Sequence, residues 1–237
     1  MSARIVNGKK TFIPIENNPE VLSHLAQNLG ASSSLRFYDI VDLSDDFLSS
    51  IPRPAHSLIF LCSAALFHRA RDEEESSMSE YTGCGAQEPV LWFRQTIGHA
   101  CGLMALLHCL ANGEGRKSVP PGSELDTLFQ NAVSLPPSPR AGLLYDSQFI
   151  ERAHMAAAVE GSSVVPSSTD PVGFHYIAFV KDERRHLWEL NGSMKGPVDR
   201  GVLGEEDLLS RKALDMSIGP FLAAGEDIGA SIVALAG

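Results

Sequence analysis

The stretch Gln95-Thr-Ile-Gly-His-Ala-Cys101-Gly-Leu-Met-Ala-Leu-Leu-His-Cys-Leu-Ala111 decides how this chain is read. From Cys101 onward it has the length and composition of an apolar helix, and Asn112-Gly113 supplies the stop. Cys101 therefore falls in the first turn, where unpaired N–H groups and the positive end of the helix dipole favour thiolate over thiol. The same amides suit the negative oxygen of a tetrahedral intermediate, and the Gln95 side chain, six positions upstream, is a second donor for it.

Outward from this segment, strands and helices alternate. Phe12 to Ile15 reads as a short strand, and Asn18-Pro19 opens a helix with Val21, Leu22, Leu25 and Leu29 on one face, ended by Gly30. Leu35 to Ile40 and Ser57 to Cys62 read as strands, with a short helix from Ser44 to Ser50 between them. Arg71 to Glu88 carries an acidic run without periodicity and is expected to be mostly a solvated, mobile loop. Ser123 caps a helix. Ser138-Pro139 opens another that runs, with a break near Asp146, to about Val159, and residues 161–171 form a low-complexity connector. Glu205 to Leu222 reads as a last amphipathic helix and Ala230 to Ala236 as a closing strand. This order predicts a layered α/β domain spanning residues 1–237.

Gly173-Phe-His-Tyr-Ile-Ala-Phe-Val180 and Arg185-His-Leu-Trp-Glu-Leu190 form a predicted hairpin. A turn centred on Glu183 places His175 opposite Asn191, on one face and about 5 Å apart; a slip of one residue would oppose Gly192 instead. This assembles a thiol, an imidazole and an orienting amide: His175 takes and returns the Cys101 proton, Asn191 fixes the ring, and Gln95 with the Cys101 N–H holds the oxyanion. A histidine in an apolar strand is more often a core residue than a base. Of the other histidines near this chemistry, His99 is too close in sequence to Cys101, His108 lies two turns along the helix and His186 follows an exposed turn, so His175 is the best candidate.

Composition narrows the class. The 237 residues are 44% apolar with a mean hydropathy near zero, and no apolar run reaches membrane-spanning length. The opening residues lack a secretory pattern, which points to an intracellular, cytoplasmic protein. Cysteines 62, 84, 101 and 109 show no Cys-x-x-Cys spacing, so neither a zinc site nor a disulfide framework is expected, and no cofactor is implied. Cys62 and Cys109 read as core residues and Cys84 as an exposed thiol. A formal charge of −10 argues against nucleic-acid and anionic-membrane binding and suits a basic partner.

The ordered set Gln95-Thr-Ile-Gly-His-Ala-Cys-Gly102, Phe174-His-Tyr-Ile-Ala-Phe-Val180 and Leu187-Trp-Glu-Leu-Asn-Gly192 resembles the ubiquitin C-terminal hydrolases, cysteine peptidases with a papain-like site. Phe12-Ile-Pro-Ile-Glu-Asn-Asn-Pro-Glu20, Ile51-Pro-Arg-Pro54 and Ala230-Ser-Ile-Val-Ala-Leu235 extend the likeness from about residue 11 to the end. The resemblance implies three α-β-α layers around a mostly antiparallel six-stranded sheet with a knotted backbone. It also implies a crossover loop at about 155–172 that limits substrates to small adducts and flexible peptide extensions. Gln95 would be the oxyanion glutamine, Cys101 the nucleophile and His175 the base. The usual aspartate is here Asn191, which orients the ring without stabilising its charge; another acid such as Asp199 substituting in space is a second option. Glu16, Glu20 and Asp39 match ubiquitin-facing positions, where they would meet the arginines of ubiquitin's tail, and the residues before Phe12 are also expected against ubiquitin. The expected activity is thiol hydrolysis, by a monomer and through a thioester, of the bond after ubiquitin's last glycine. NEDD8 as preferred modifier and a ubiquitin-binding pseudoenzyme are the alternatives, with a redox-sensing thiol protein more remote.

Overall fold

A computed structural model describes residues 2–161, 173–225 and 229–237. Its centre is a six-stranded antiparallel sheet assembled from β3 (Arg36–Asp39), β4 (Ala55–Ser63), β5 (Phe174–Lys181), β6 (His186–Leu190), β7 (Val198–Val202) and β8 (Ser231–Ala236), in the spatial order β3-β8-β4-β5-β6-β7. The expected six-stranded sheet is present, and the last strand of the chain lies between two of the earliest.

Strict alternation along β5 sends Tyr176, Ala178 and Val180 to one face and Ile177 and Phe179 to the other, so the sheet is buried on both sides. The first face packs on α1 (Pro19–Asn28), α4 (Cys101–Ala111), α6 (Glu124–Val133), α7 (Pro137–Asp146) and α8 (Gln148–Ala157), around Trp92 and Phe93. The short α5 (Gly113–Lys117) follows α4 directly. The second face packs on α2 (Asp45–Leu48), α3 (Ala64–Ser77), α9 (Arg211–Ser217) and α10 (Gly219–Ala224). Helix α4 is buried along its whole length after Cys101, as its unbroken apolar run requires. No helix among the described residues is long and apolar enough to cross a membrane.

Several sequence expectations are corrected. Phe12 to Ile15 is not a strand: Pro14 has no N–H to give, and the pairing falls upstream, in a hairpin of β1 (Arg4–Val6) and β2 (Lys9–Thr11). Asn7 and Gly8 close that hairpin with φ of 50° and 78°, the left-handed pair a two-residue turn demands. Most of the acidic run, residues 78–88, lies outside helix and strand as expected, but its first seven residues belong to α3, which continues to Ser77. Its inward face is completed by Arg71, 3% exposed, whose guanidinium grips fully buried Glu189 at 2.8–3.2 Å and lies over the Phe221 ring; a charged residue doing the work of an apolar one hides the helical period. Arg200 and Glu74 complete this network. Farther on, Glu88 pairs with the buried Arg140. The expected last helix from Glu205 to Leu222 is two helices, α9 capped by Ser210 and α10 opened by Pro220, while Asp207 is drawn away to the Ala55 N–H. The break near Asp146 is present: Ser147 ends α7 and caps α8. Most of the expected crossover segment, 162–172, lies outside the described residues.

Two histidines are fully buried as neutral rings. His108 accepts the Phe93 N–H at 3.0 Å, and His154 donates to the Ile13 carbonyl at 2.7 Å; burial depresses their pKa values to about 3 and about 4. A depressed value means the unfolded chain binds a proton that the folded one refuses. Stability is then full above the unfolded value of 6.5 and falls as pH drops towards the folded values. Within that window each histidine should remove about 1.4 kcal/mol per pH unit. Melting temperature followed from pH 7.5 to 4.5 should show this slope, and His154→Gln, which keeps a donor for Ile13, should flatten it. An unchanged slope in that variant would rule His154 out as a source of acid lability.

Candidate active site

Cys101 begins α4, and the sequence reading of its position holds. Ala100 gives no side-chain cap, so the first-turn N–H groups are left to other acceptors, the Cys101 sulfur among them. Gly102 permits the close packing: a Cβ there would lie 2.6 Å from Ile15 and 3.4 Å from the Tyr176 ring. The thiol departs from the expected thiolate. Burial of the sulfur raises its pKa above that of a free cysteine and outweighs the lowering by hydrogen bonds from the backbone of Gly102, Cys101 and Tyr176. At neutral pH Cys101 therefore rests as a thiol.

Gln95 is fixed through its main chain, its N–H donating to the Gly192 carbonyl at 2.8 Å, and through its side chain, Nε2 donating to the Ile97 carbonyl at 3.1 Å. Gly192 allows this, since a Cβ there would come within 3.0 Å of Gln95 and Phe93. The loop then turns at His99, held at φ 56°. Residue 192 follows Asn191, so Gln95 and the amide expected to orient the histidine are tied together by backbone.

His175 opens β5 beside Cys62 of β4. It does not face Asn191. Ala178 pairs with Leu190 and Lys181 with Leu187, which puts the hairpin two residues out of the expected register. Arg185 at φ 67° is the cause: a turn from Asp182 to Arg185, closed by Arg185 N–H to Asp182 O, ends in a left-handed residue and displaces the return strand. Asn191, 3% exposed, becomes a diagonal neighbour on the same face. Its Oδ1 accepts from the N–H and hydroxyl of Ser193 at 3.0 and 2.9 Å, its carbonyl accepts from Trp92, and its buried Nδ2 has no hydrogen-bond partner among the described residues. Asp199, the other acid considered, is held by His186 at 2.8 Å.

The His175 ring rests instead on Phe67 of α3, centroids 4.5 Å apart, with His68 edge-on at 6.1 Å and Asp72 bonded to His68. Burial, then the charge of His68, lowers the His175 pKa, so the ring stays in its basic form into mildly acidic solution. Phe67 and His68 are missed by sequence reading because they sit on the helix whose continuation reads as an acidic loop. Tyr176, whose hydroxyl donates to the Ile15 carbonyl at 2.9 Å, stands next to the thiol; β-strand alternation is the signal that could have found it. Of the acids expected to meet ubiquitin, Glu16 lies nearest the site: its carboxylate acts on Tyr176 and would be 2.4 Å from a Cβ on Gly161. Glu20 is exposed in the first turn of α1 and Asp39 ends β3, where partial burial raises its pKa. Among the described residues no group of three or more His, Cys, Asp or Glu is placed to hold a metal. Cys62 and Cys109 are buried and Cys84 is exposed, as expected.

The sequence model for ubiquitin carboxyl-terminal hydrolase, family 1, matches residues 12–219. The chain belongs to this family. Among relatives of this hydrolase, the human ubiquitin carboxyl-terminal hydrolase isozyme L1 is 33% identical over 200 residues, covering 84% of this chain and 87% of that protein. The Sus scrofa isozyme L1 is 34% identical with the same coverage. In fold, the hydrolase is similar to the Trichinella spiralis UCH37 catalytic domain, solved bound to ubiquitin vinyl methyl ester, at a TM-score of 0.71 and 18% identity over 95% of each chain.

Proposed function

We propose that residues 1–237 act as one cytoplasmic catalytic domain that hydrolyses small adducts and short peptide extensions from the C-terminal glycine of ubiquitin. The observation that carries this is Cys101 at the start of α4, its sulfur met by the backbone of Tyr176, the residue that follows His175 in β5, in a chain of this family. His175 leaves its stack on Phe67 by side-chain rotation and takes the Cys101 proton as the sulfur attacks the glycine carbonyl. The Cys101 N–H and Gln95 Nε2 receive the negative oxygen. Collapse returns the proton to the departing amine and leaves a thioester, which water, deprotonated by His175, hydrolyses. Asn191 limits the orientations open to the ring without lending charge. Glu16, Glu20 and Asp39 supply negative charge for the basic tail of ubiquitin.

Side-by-side hydrolysis of fluorogenic C-terminal amides of ubiquitin and NEDD8, scanned over pH, tests this reading. The ubiquitin amide should turn over faster, with an acid limb below the ordinary histidine value of 6.5. In Asn191→Asp a carboxylate would favour imidazolium, raise the His175 pKa and move the limb upward by about one unit. A limb that does not move would mean that position 191 does not address His175; no turnover with ubiquitin still bound would make the chain a binding module.

A further inference from the structure

The residues just ahead of the family-matched span hold the oxyanion loop. The peptide joining Ile97 to Gly98 is bonded at both ends: its carbonyl accepts from Gln95 Nε2 at 3.1 Å, and its N–H donates to the carbonyl of Lys10 at 2.8 Å. The next contact runs the other way, from the Phe12 N–H to the Gly98 carbonyl at 3.0 Å, making a parallel bridge between β2 and the loop. Gly98 is needed for this approach, since a Cβ there would lie 2.7 Å from the Thr11 hydroxyl. One peptide plane thus transmits the position of Lys10 to the Gln95 amide, and the two hydrogen bonds polarise each other.

The hairpin is itself anchored. Lys10 Nζ, on a side chain 13% exposed, bonds Glu151 of α8 at 2.8 Å and the Tyr145 carbonyl at 2.6 Å, and it stands over the rings of Phe12 and Tyr145. The other oxygen of Glu151 accepts the N–H of Ala3, the residue just ahead of β1, at 2.9 Å, so one carboxylate ties down the start of the hairpin and its second strand. Hydrogen bonding from Lys10 holds the Glu151 carboxyl below its ordinary range, so this clamp remains charged in mild acid.

We infer that Lys10, clamped by Glu151, is a positioning residue for the oxyanion glutamine: it fixes the Ile97–Gly98 peptide and through it one N–H of the Gln95 amide, leaving the other N–H aimed at the reacting carbonyl. This rests on the assignment of Gln95 above. Such a role acts on the transition state rather than on ubiquitin affinity. A small displacement of a catalytic group is costly, and Lys10→Met should lower kcat about tenfold while leaving KM within about twofold.

The deciding experiment is a double-mutant cycle on the ubiquitin amide with Lys10→Met, Gln95→Ala and both together, with amide exchange at Gly98 as a second readout. In the Gln95→Ala background Lys10→Met should change kcat by less than about twofold, because the group it positions is gone. The Gly98 N–H should exchange faster in Lys10→Met and stay protected in Lys10→Arg, which should also restore kcat. Equal losses in both backgrounds, a change confined to KM, or no loss would overturn the inference. Gln95→Ala with unimpaired turnover would instead defeat the oxyanion assignment beneath it. If Lys10→Met does not fold, Glu151→Gln, which keeps the volume and loses the charge, enters the same cycle with the same expected direction.

Discussion

Cys101→Ala should lose at least about four orders of magnitude in kcat, leaving only what binding and the oxyanion donors give without a nucleophile. No other thiol can stand in. Cys62 and Cys109 are buried in the two cores, and Cys84 lies exposed in the segment after α3. The substitution removes one sulfur from a side chain whose backbone neighbours stay in place, so ubiquitin affinity should change little and α4 should keep its packing. Single-turnover kinetics beside a direct binding measurement separate the two. A residual rate above about one per cent of wild type would exclude Cys101 as the nucleophile on this scale of loss. Loss of ubiquitin binding together with activity would point to a collapsed site.

Gln95→Ala follows with a hundred- to thousandfold fall in kcat, about 3–4 kcal/mol of transition-state stabilisation, and little change in KM. The loop should survive it, because the Gln95 N–H to Gly192 bond and the bridge from Gly98 to β2 belong to the main chain. Gln95→Glu keeps the volume but puts an acceptor where a donor is needed and a negative charge beside the developing oxyanion. Its loss should be at least as large, which separates hydrogen-bond donation from mere filling of space. Near-normal turnover in either variant removes Gln95 from the mechanism.

Much of this site is legible in the sequence because its parts obey local rules. The helix starting at Cys101 and the buried strands β4, β5 and β8 follow from composition and period alone. What is lost is what local rules do not carry. The β5–β6 register depends on one left-handed residue, Arg185, and no propensity marks an arginine for that conformation. Helix α3 is concealed because its inward contact is Arg71 with Glu189, a pair that burial makes structural and that a hydrophobic pattern cannot reveal. Phe67 and His68, the neighbours of His175, are lost with it. The hold of Lys10 on the loop at 95–98 runs through main-chain groups, the Gly98 N–H on the Lys10 carbonyl, for which side-chain chemistry is silent.

The place of β8 bears on how the protein is made. This strand, residues Ser231–Ala236, lies between β3 and β4 and contributes side chains to both faces of the sheet. During synthesis β8 emerges after the other strands of the sheet, and a ribosome adds only about 5–20 residues per second. Until it emerges, β3 and β4 have their facing edges unpaired and neither core can close. The sheet therefore closes only after its other strands have been made, and until then the nascent chain carries two open strand edges.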